Sequence, residues 1–305
     1  SLKATNMTTT HMTHSKNTSL VSTQWLDSHR HDDNLKLIDA SWYLPAMQRN
    51  AYEEYSAAHI KGAVFFDLDK ICDTTADAPH MAPSADTFTA WLNSVGINSS
   101  HAIVVYDGAG LFSAARVWWL FRLMGFNNVA VLDGGLPKWI GEGRSTTDVI
   151  SQVMPYVSSS SQACALQPIM KTSAQVLQAI ACKDYQVLDA RAPGRFLGAE
   201  PEPRKGLRSG HIPGSKNVFF KTLLHHDHTM KSPEELSQVF LAAGADIADT
   251  AKPIITSCGS GVTAAIVNLA LVQMGKSQHY LYDGSWAQWG FDDALPIATG
   301  ATSVT

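Results

Sequence analysis

Ile254-Ile255-Thr256-Ser257-Cys258-Gly259-Ser260-Gly261-Val262-Thr263-Ala264 is the stretch whose reading decides the fold. The β-branched run Ile254 to Thr256 reads as a buried strand that ends at Cys258, and a helical pattern begins at Ala264. The Gly-rich loop between them lets backbone N–H groups converge on the sulfur. Those amides, with the partial positive charge of a helix N-terminus, favour an anion and lower the pKa of a thiol. Most free cysteines are packing residues. Packing alone does not call for Gly259 and Gly261 so close behind the sulfur, so Cys258 is expected to be a nucleophile.

Working outward, the same pattern occurs a second time. Ile103-Val104-Val105-Tyr106-Asp107-Gly108 faces Ile254 to Gly259, and Ala114 to Gly125 resembles Ala264 to Gly275. Leu37-Ile38-Asp39-Ala40 recurs as Val187-Leu188-Asp189-Ala190, and His59-Ile60-Lys61-Gly62 as His211-Ile212-Pro213-Gly214. Asp133-Gly134-Gly135 with Trp139 matches Asp283-Gly284-Ser285 with Trp289. The spacing is about 150 residues throughout, which is a duplicated domain rather than a short-period solenoid. Where the second copy has Cys258, the first has Asp107. A nucleophile in one copy alone places the active site at the domain interface, with the other copy lending side chains.

Strands are expected at 35–39, 63–66, 102–106 and 129–132, then at 185–189, 216–219, 253–257 and 279–282. Helices are expected at 85–95, 113–124, 173–181, 233–243 and 263–274. This βα alternation with buried β-branched strands predicts an α/β fold in which each copy is a mostly parallel sheet flanked by helices on both faces. The Ser- and Pro-bearing stretch 146–168 reads as a linker that wraps along one copy through Val153, Tyr156 and Val157. Residues 1–18 read as a disordered leader.

The chain has 305 residues, 45% hydrophobic and 16% charged, with a formal net charge of −4. That balance argues against nucleic acid or an anionic membrane as the main partner, and no apolar run is long enough to span a bilayer. Cys72, Cys164, Cys182 and Cys258 show neither CxxC nor zinc spacing. A thiol placed for chemistry needs a reducing compartment, so a cytoplasmic protein without structural disulfides is expected. His225-His226-Asp227-His228 reads as a surface loop rather than a metal site, because adjacent loop residues rarely all face one ion.

The duplication, the stretch Asp39-Ala40-Ser41-Trp42-Tyr43 and the Cys258-x-x-Gly261-Val262-Thr263-Ala264 loop together resemble the tandem-domain sulfurtransferases of the rhodanese superfamily. The resemblance implies two rhodanese-like domains, a non-catalytic copy at 19–145 and a catalytic copy at 169–297. It implies no cofactor and no metal. Thiosulfate-using members carry basic residues at the two positions after the cysteine. Gly259 and Ser260 stand there instead, similar to the branch that takes 3-mercaptopyruvate. Gly194-Arg195-Phe196 and Glu200-Pro201-Glu202-Pro203-Arg204 are similar to that branch's substrate segment, so Arg195 and Arg204 are expected to grip the keto acid. A guanidinium fork matches a planar carboxylate.

The resemblance further implies an Asp–His–Ser arrangement reaching from the first copy, mapped onto Asp69, His80 and Ser260, with Asp67 a rival for the carboxylate. In that logic the Asp orients the imidazole and the imidazole polarises the serine hydroxyl. The loop amides of Gly259, Gly261, Val262 and Thr263 are expected to hold the thiolate and then a Cys258 persulfide. The expected partners are 3-mercaptopyruvate as donor and a thiol such as thioredoxin, or cyanide in an assay, as acceptor. The alternatives are the same persulfide chemistry on thiosulfate and a non-enzymatic persulfide carrier. A Ser260 hydrolase is disfavoured because no G-x-S-x-G elbow is present.

Overall fold

Buried β-branched runs set the architecture. In the computed structural model, which describes residues 19–153 and 164–301, β1 (Leu20–Val21), β2 (Leu35–Asp39), β3 (Val64–Phe65), β4 (Ala102–Tyr106) and β5 (Val129–Leu132) form one sheet. Its order is β1-β5-β4-β2-β3. A second sheet is made of β6 (Met170–Lys171), β7 (Gln186–Asp189), β8 (Lys216–Asn217), β9 (Ile254–Ser257) and β10 (His279–Tyr282). Its order, β6-β10-β9-β7-β8, repeats the first. Strand pairing is parallel throughout both sheets. The central strands β4 and β9 are buried along their whole length, as apolar strands covered on both faces must be.

The edge strands β1 and β6, two residues long, escape a sequence reading by showing no period, while the equally short β3 and β8 stand within the expected stretches 63–66 and 216–219. Short helices such as Thr23–His29, Gly135–Gly141 and Ser285–Trp289 escape it for the same reason. The expected leader, residues 1–18, lies outside the described residues, as do Tyr156 and Val157 of the expected linker. The described ends of that linker lie along the first half. Thr147 bridges to His59 in antiparallel fashion, and the amide of Gln167 donates to the Leu123 carbonyl at 2.7 Å.

Two helices join the halves. Ala114–Leu123 and Ala264–Gln273 each follow the central strand of their sheet and pack on one another. Both are apolar nearly all round, the signature of a helix with no solvent face. One continuous hydrophobic core therefore runs through both halves, from Ile38 and Val105 to Leu188 and Val267. That shared core fixes the loops after β4 and β9 against the opposite half, where the two clefts described below are formed.

Candidate active site

β9 delivers Cys258 to the domain interface, and the helix Ala264–Gln273 starts just beyond the loop. Cys258 is 1% exposed. Its sulfur accepts the amide of Gly261 at 3.1 Å; among the described residues this is the loop N–H that meets it, where a wider set had been expected. Gly261 has φ +83°, and a Cβ there would lie 3.0 Å from the Asp283 carbonyl and 3.1 Å from Arg116, so only glycine fits the turn. Val262 sends its side chain into the core, which leaves its backbone as the part facing the loop. Thr263 caps the helix without a side-chain bond.

Asp69, His80 and Ser260 come together across the interface. His80 Nδ1 lies 3.0 Å from Ser260 Oγ, and Nε2 lies 2.8 Å from Asp69 Oδ1. A carboxylate only accepts, so Nε2 carries the ring proton. Nδ1 of the neutral ring is then free to take the serine proton. The bond to His80 is the main force holding Asp69's carboxyl below its usual range. Trp42 donates its indole N–H to the same Asp69 oxygen at 3.1 Å and stands edge-on to His80, with ring centroids 4.7 Å apart. Asp67 is the residue that turns the chain: it accepts the Asp69 amide at 3.1 Å and does not touch His80.

Arg195 and Arg204 close the other side. A Cβ on Gly259 would lie 3.1 Å from Arg195 Nη2 and 3.5 Å from Arg204 Nη1. Both guanidinium groups thus lie over Gly259, the neighbour of Cys258, where a methyl group would press on Arg195 and make ordinary contact with Arg204. Glu202, itself buried, holds the Arg195 fork by bonds of 3.1 and 2.8 Å and also faces Arg191 at 3.5 Å. Arg204 carries no salt bridge among the described residues. Burial lowers its pKa, and the charge of Cys258 pulls the other way.

Two residues of the site were missed from sequence. Arg116 is fully buried in the helix of the first half. Its Nη2 donates to the His80 carbonyl at 2.6 Å, Nη1 reaches the Gly261 carbonyl at 3.4 Å, and Nη2 stands 2.6 Å from Asp283 Oδ1. The last is a charge contact rather than a hydrogen bond, since Asp283 Oδ1 lies off the N–H direction. One side chain thus ties together the histidine, the sulfur loop and the second half. The second is Ser285, whose hydroxyl accepts the Cys258 amide at 3.1 Å from a left-handed backbone at φ 50°. The signal for both was the repeat. Arg116 stands opposite Ile266, and Ser285 opposite Gly135, which has φ 60°.

The matching loop of the first half holds a carboxylate where the second holds a thiol. Asp107 Oδ1 accepts the amides of Ala109 and Gly110 at 2.9 and 3.0 Å, and Oδ2 those of Phe112 and Ala114 at 2.8 Å. Burial pushes this carboxyl up, against amides that pull it down. No cluster of three or more His, Cys, Asp or Glu suited to a metal occurs among the described residues, the histidines at 225–228 included. No described helix is long and apolar enough to cross a membrane.

The rhodanese-like domain profile matches this chain twice, at residues 22–142 and 172–291. The 3-mercaptopyruvate sulfurtransferase of Rattus norvegicus is 43% identical over 88% of this chain and 91% of its own length. The thiosulfate sulfurtransferase of Cricetulus griseus is also 43% identical, over 91% of this chain and 93% of its own. The crystal structure of SseA, a 3-mercaptopyruvate sulfotransferase of Escherichia coli, covers 88% of this chain and 99% of its own with a TM-score of 0.79 and 36% identity. With two parallel five-stranded sheets of one topology and a domain match in each half, the chain belongs to the rhodanese family.

Proposed function

We propose that this chain moves sulfur from 3-mercaptopyruvate to a thiol acceptor by way of a persulfide on Cys258. Overall identity does not separate this donor from thiosulfate, because relatives named for each are equally similar. The observation that carries the reading is the pair of guanidinium groups over Gly259. They bring two cationic donors next to the residue that follows the nucleophile, the chemistry that a carboxylate and its adjacent carbonyl require.

The chemistry balances without a further reagent. The Cys258 thiolate attacks the sulfur of 3-mercaptopyruvate and forms the S–S bond. The carbon–sulfur bond breaks, and its electron pair moves to C3 and onto the C2 carbonyl as an enolate. One proton at C3 then gives pyruvate. Ser260, backed by His80 and Asp69, is positioned to carry that proton or to donate to the carbonyl oxygen. Arg195 and Arg204 oppose the charge that develops on the enolate. A thiolate acceptor then attacks the outer sulfur and leaves with it, returning Cys258 as thiolate. Thioredoxin is the kind of acceptor proposed, and a reducing compartment such as the cytosol is the setting in which the free thiol persists.

Incubation with 3-mercaptopyruvate, without acceptor, should add one sulfur to Cys258 by mass spectrometry and release pyruvate. An unchanged mass at neutral pH would remove the scheme. In steady state, kcat/KM should favour 3-mercaptopyruvate over thiosulfate by about tenfold or more, and the reverse order would assign the chain to thiosulfate.

The two arginines should respond differently. Arg204→Gln should lower kcat/KM for 3-mercaptopyruvate about 10- to 100-fold, the worth of a hydrogen bond to a charged group, without loss of thermal stability. Arg195→Gln should lower kcat/KM similarly and also lower the melting temperature, because Glu202 is buried and loses its bidentate partner. Equal melting temperatures for the two variants would contradict this division.

A further inference from the structure

The duplication builds a second cleft at the domain interface. Three features of the active cleft are reproduced there on other residues. The first is a glycine that clears space for an arginine-bearing wall. A Cβ on Gly108 would lie 2.2 Å from the Tyr43 hydroxyl, which accepts from Arg49 Nη2 at 2.9 Å, as Gly259 lies under Arg195 and Arg204. The second is a glutamate that holds the arginine fork from behind. Glu54 binds Arg49 at 2.6 and 3.0 Å, as Glu202 binds Arg195. The third is a left-handed histidine from the opposite half placed on the loop. His228, at φ 65°, crowds Gly110, as His80, at φ 60°, faces Ser260.

The loop's own anion position is already taken by Asp107, so neither thiol chemistry nor anion capture by those amides remains possible. A cavity of about 620 Å³ remains beside it, within the range of small-molecule sites. Its floor is apolar, lined by the exposed Leu44 and Met47 and by Phe112 facing Phe220 across the two halves. Its rim carries Arg49, Lys221, His225, His226 and His228, and no carboxylate lines it among the described residues. An apolar floor beside two cations, Arg49 and Lys221, selects a ligand with the opposite arrangement.

We infer that this second cleft binds a small organic anion, a carboxylate or sulfonate on an apolar body, with the anionic end on Arg49 and Lys221. The inference is independent of the chemistry assigned to Cys258. The probe is 3-phenylpropionate, titrated into the full chain by isothermal calorimetry, with the neutral 3-phenylpropionamide as control. Binding is expected for the acid and at least about tenfold weaker for the amide. It should persist in Arg195→Gln/Arg204→Gln, which disables the active cleft. It should weaken about tenfold or more in Arg49→Gln/Lys221→Gln, a variant whose turnover of 3-mercaptopyruvate stays at the parent value. Absence of binding, equal affinity for acid and amide, or dependence on Arg195 and Arg204 instead would each overturn the inference.

Discussion

Cys258→Ser folds, binds 3-mercaptopyruvate and releases no pyruvate. The loss should approach the whole enzymatic acceleration, roughly a million-fold or more, because no neighbouring group can stand in for the sulfur. A serine hydroxyl has no accessible anion at neutral pH and forms no stable bond to sulfane sulfur. The fold should survive the exchange. The side chain is buried, but the amide of Gly261 already points at the sulfur from 3.1 Å and offers the hydroxyl a partner. Pyruvate release and thermal unfolding, measured on the same sample, check both halves of the statement. Residual turnover within about a thousand-fold of the parent would mean that Cys258 is not the nucleophile.

The second large effect belongs to Arg116. Arg116→Ile installs the residue that the other half carries at this position, so the helix itself accepts it. What it leaves behind is Asp283, buried at the interface with its charge uncompensated. Removing one partner of a buried pair costs about 3–5 kcal/mol, a large share of the stability of an ordinary protein. Arg116→Ile/Asp283→Asn should recover part of that loss, since the neutral amide oxygen can still accept the Ala82 amide. The double-mutant cycle, read from denaturant midpoints, should show a strong coupling, and additive energies would refute the pairing. Activity reports the second role. Loss of the bond to the His80 carbonyl frees the loop that carries the histidine, so kcat should fall. KM should hold, because Arg195 and Arg204 sit in the other half.

Much of this was readable in the sequence because duplication turns one chain into a comparison of two. Strands β2, β4, β5 and β10 stand at their expected residues; for β4 and β5 the reason is a run of β-branched and apolar residues buried on both faces. The strand, glycines and helix start around Cys258 marked the reactive loop, and Asp107 at the matching position showed that one copy alone carries the thiol. Arg116 was hidden for a physical reason: an arginine inside an apolar helix reads as an interruption until its carboxylate is found, and Asp283 lies in the other half of the chain. Asp69 and Asp67 were inseparable by spacing. A turn in which Asp67 accepts the Asp69 amide decides which of them faces His80. Ser285 was invisible because its role rests on a left-handed backbone that serine rarely adopts.

The carboxylate of Asp107 gives the two loops different dependencies. In the first half the anion is covalently part of the chain, arrives with folding and never leaves, so that loop is complete in every state of the molecule. In the second half, on the cycle proposed for Cys258, the corresponding position changes occupant during each turnover, from thiolate to persulfide and back. One loop therefore serves as a constant and the other as a variable, on the same backbone design.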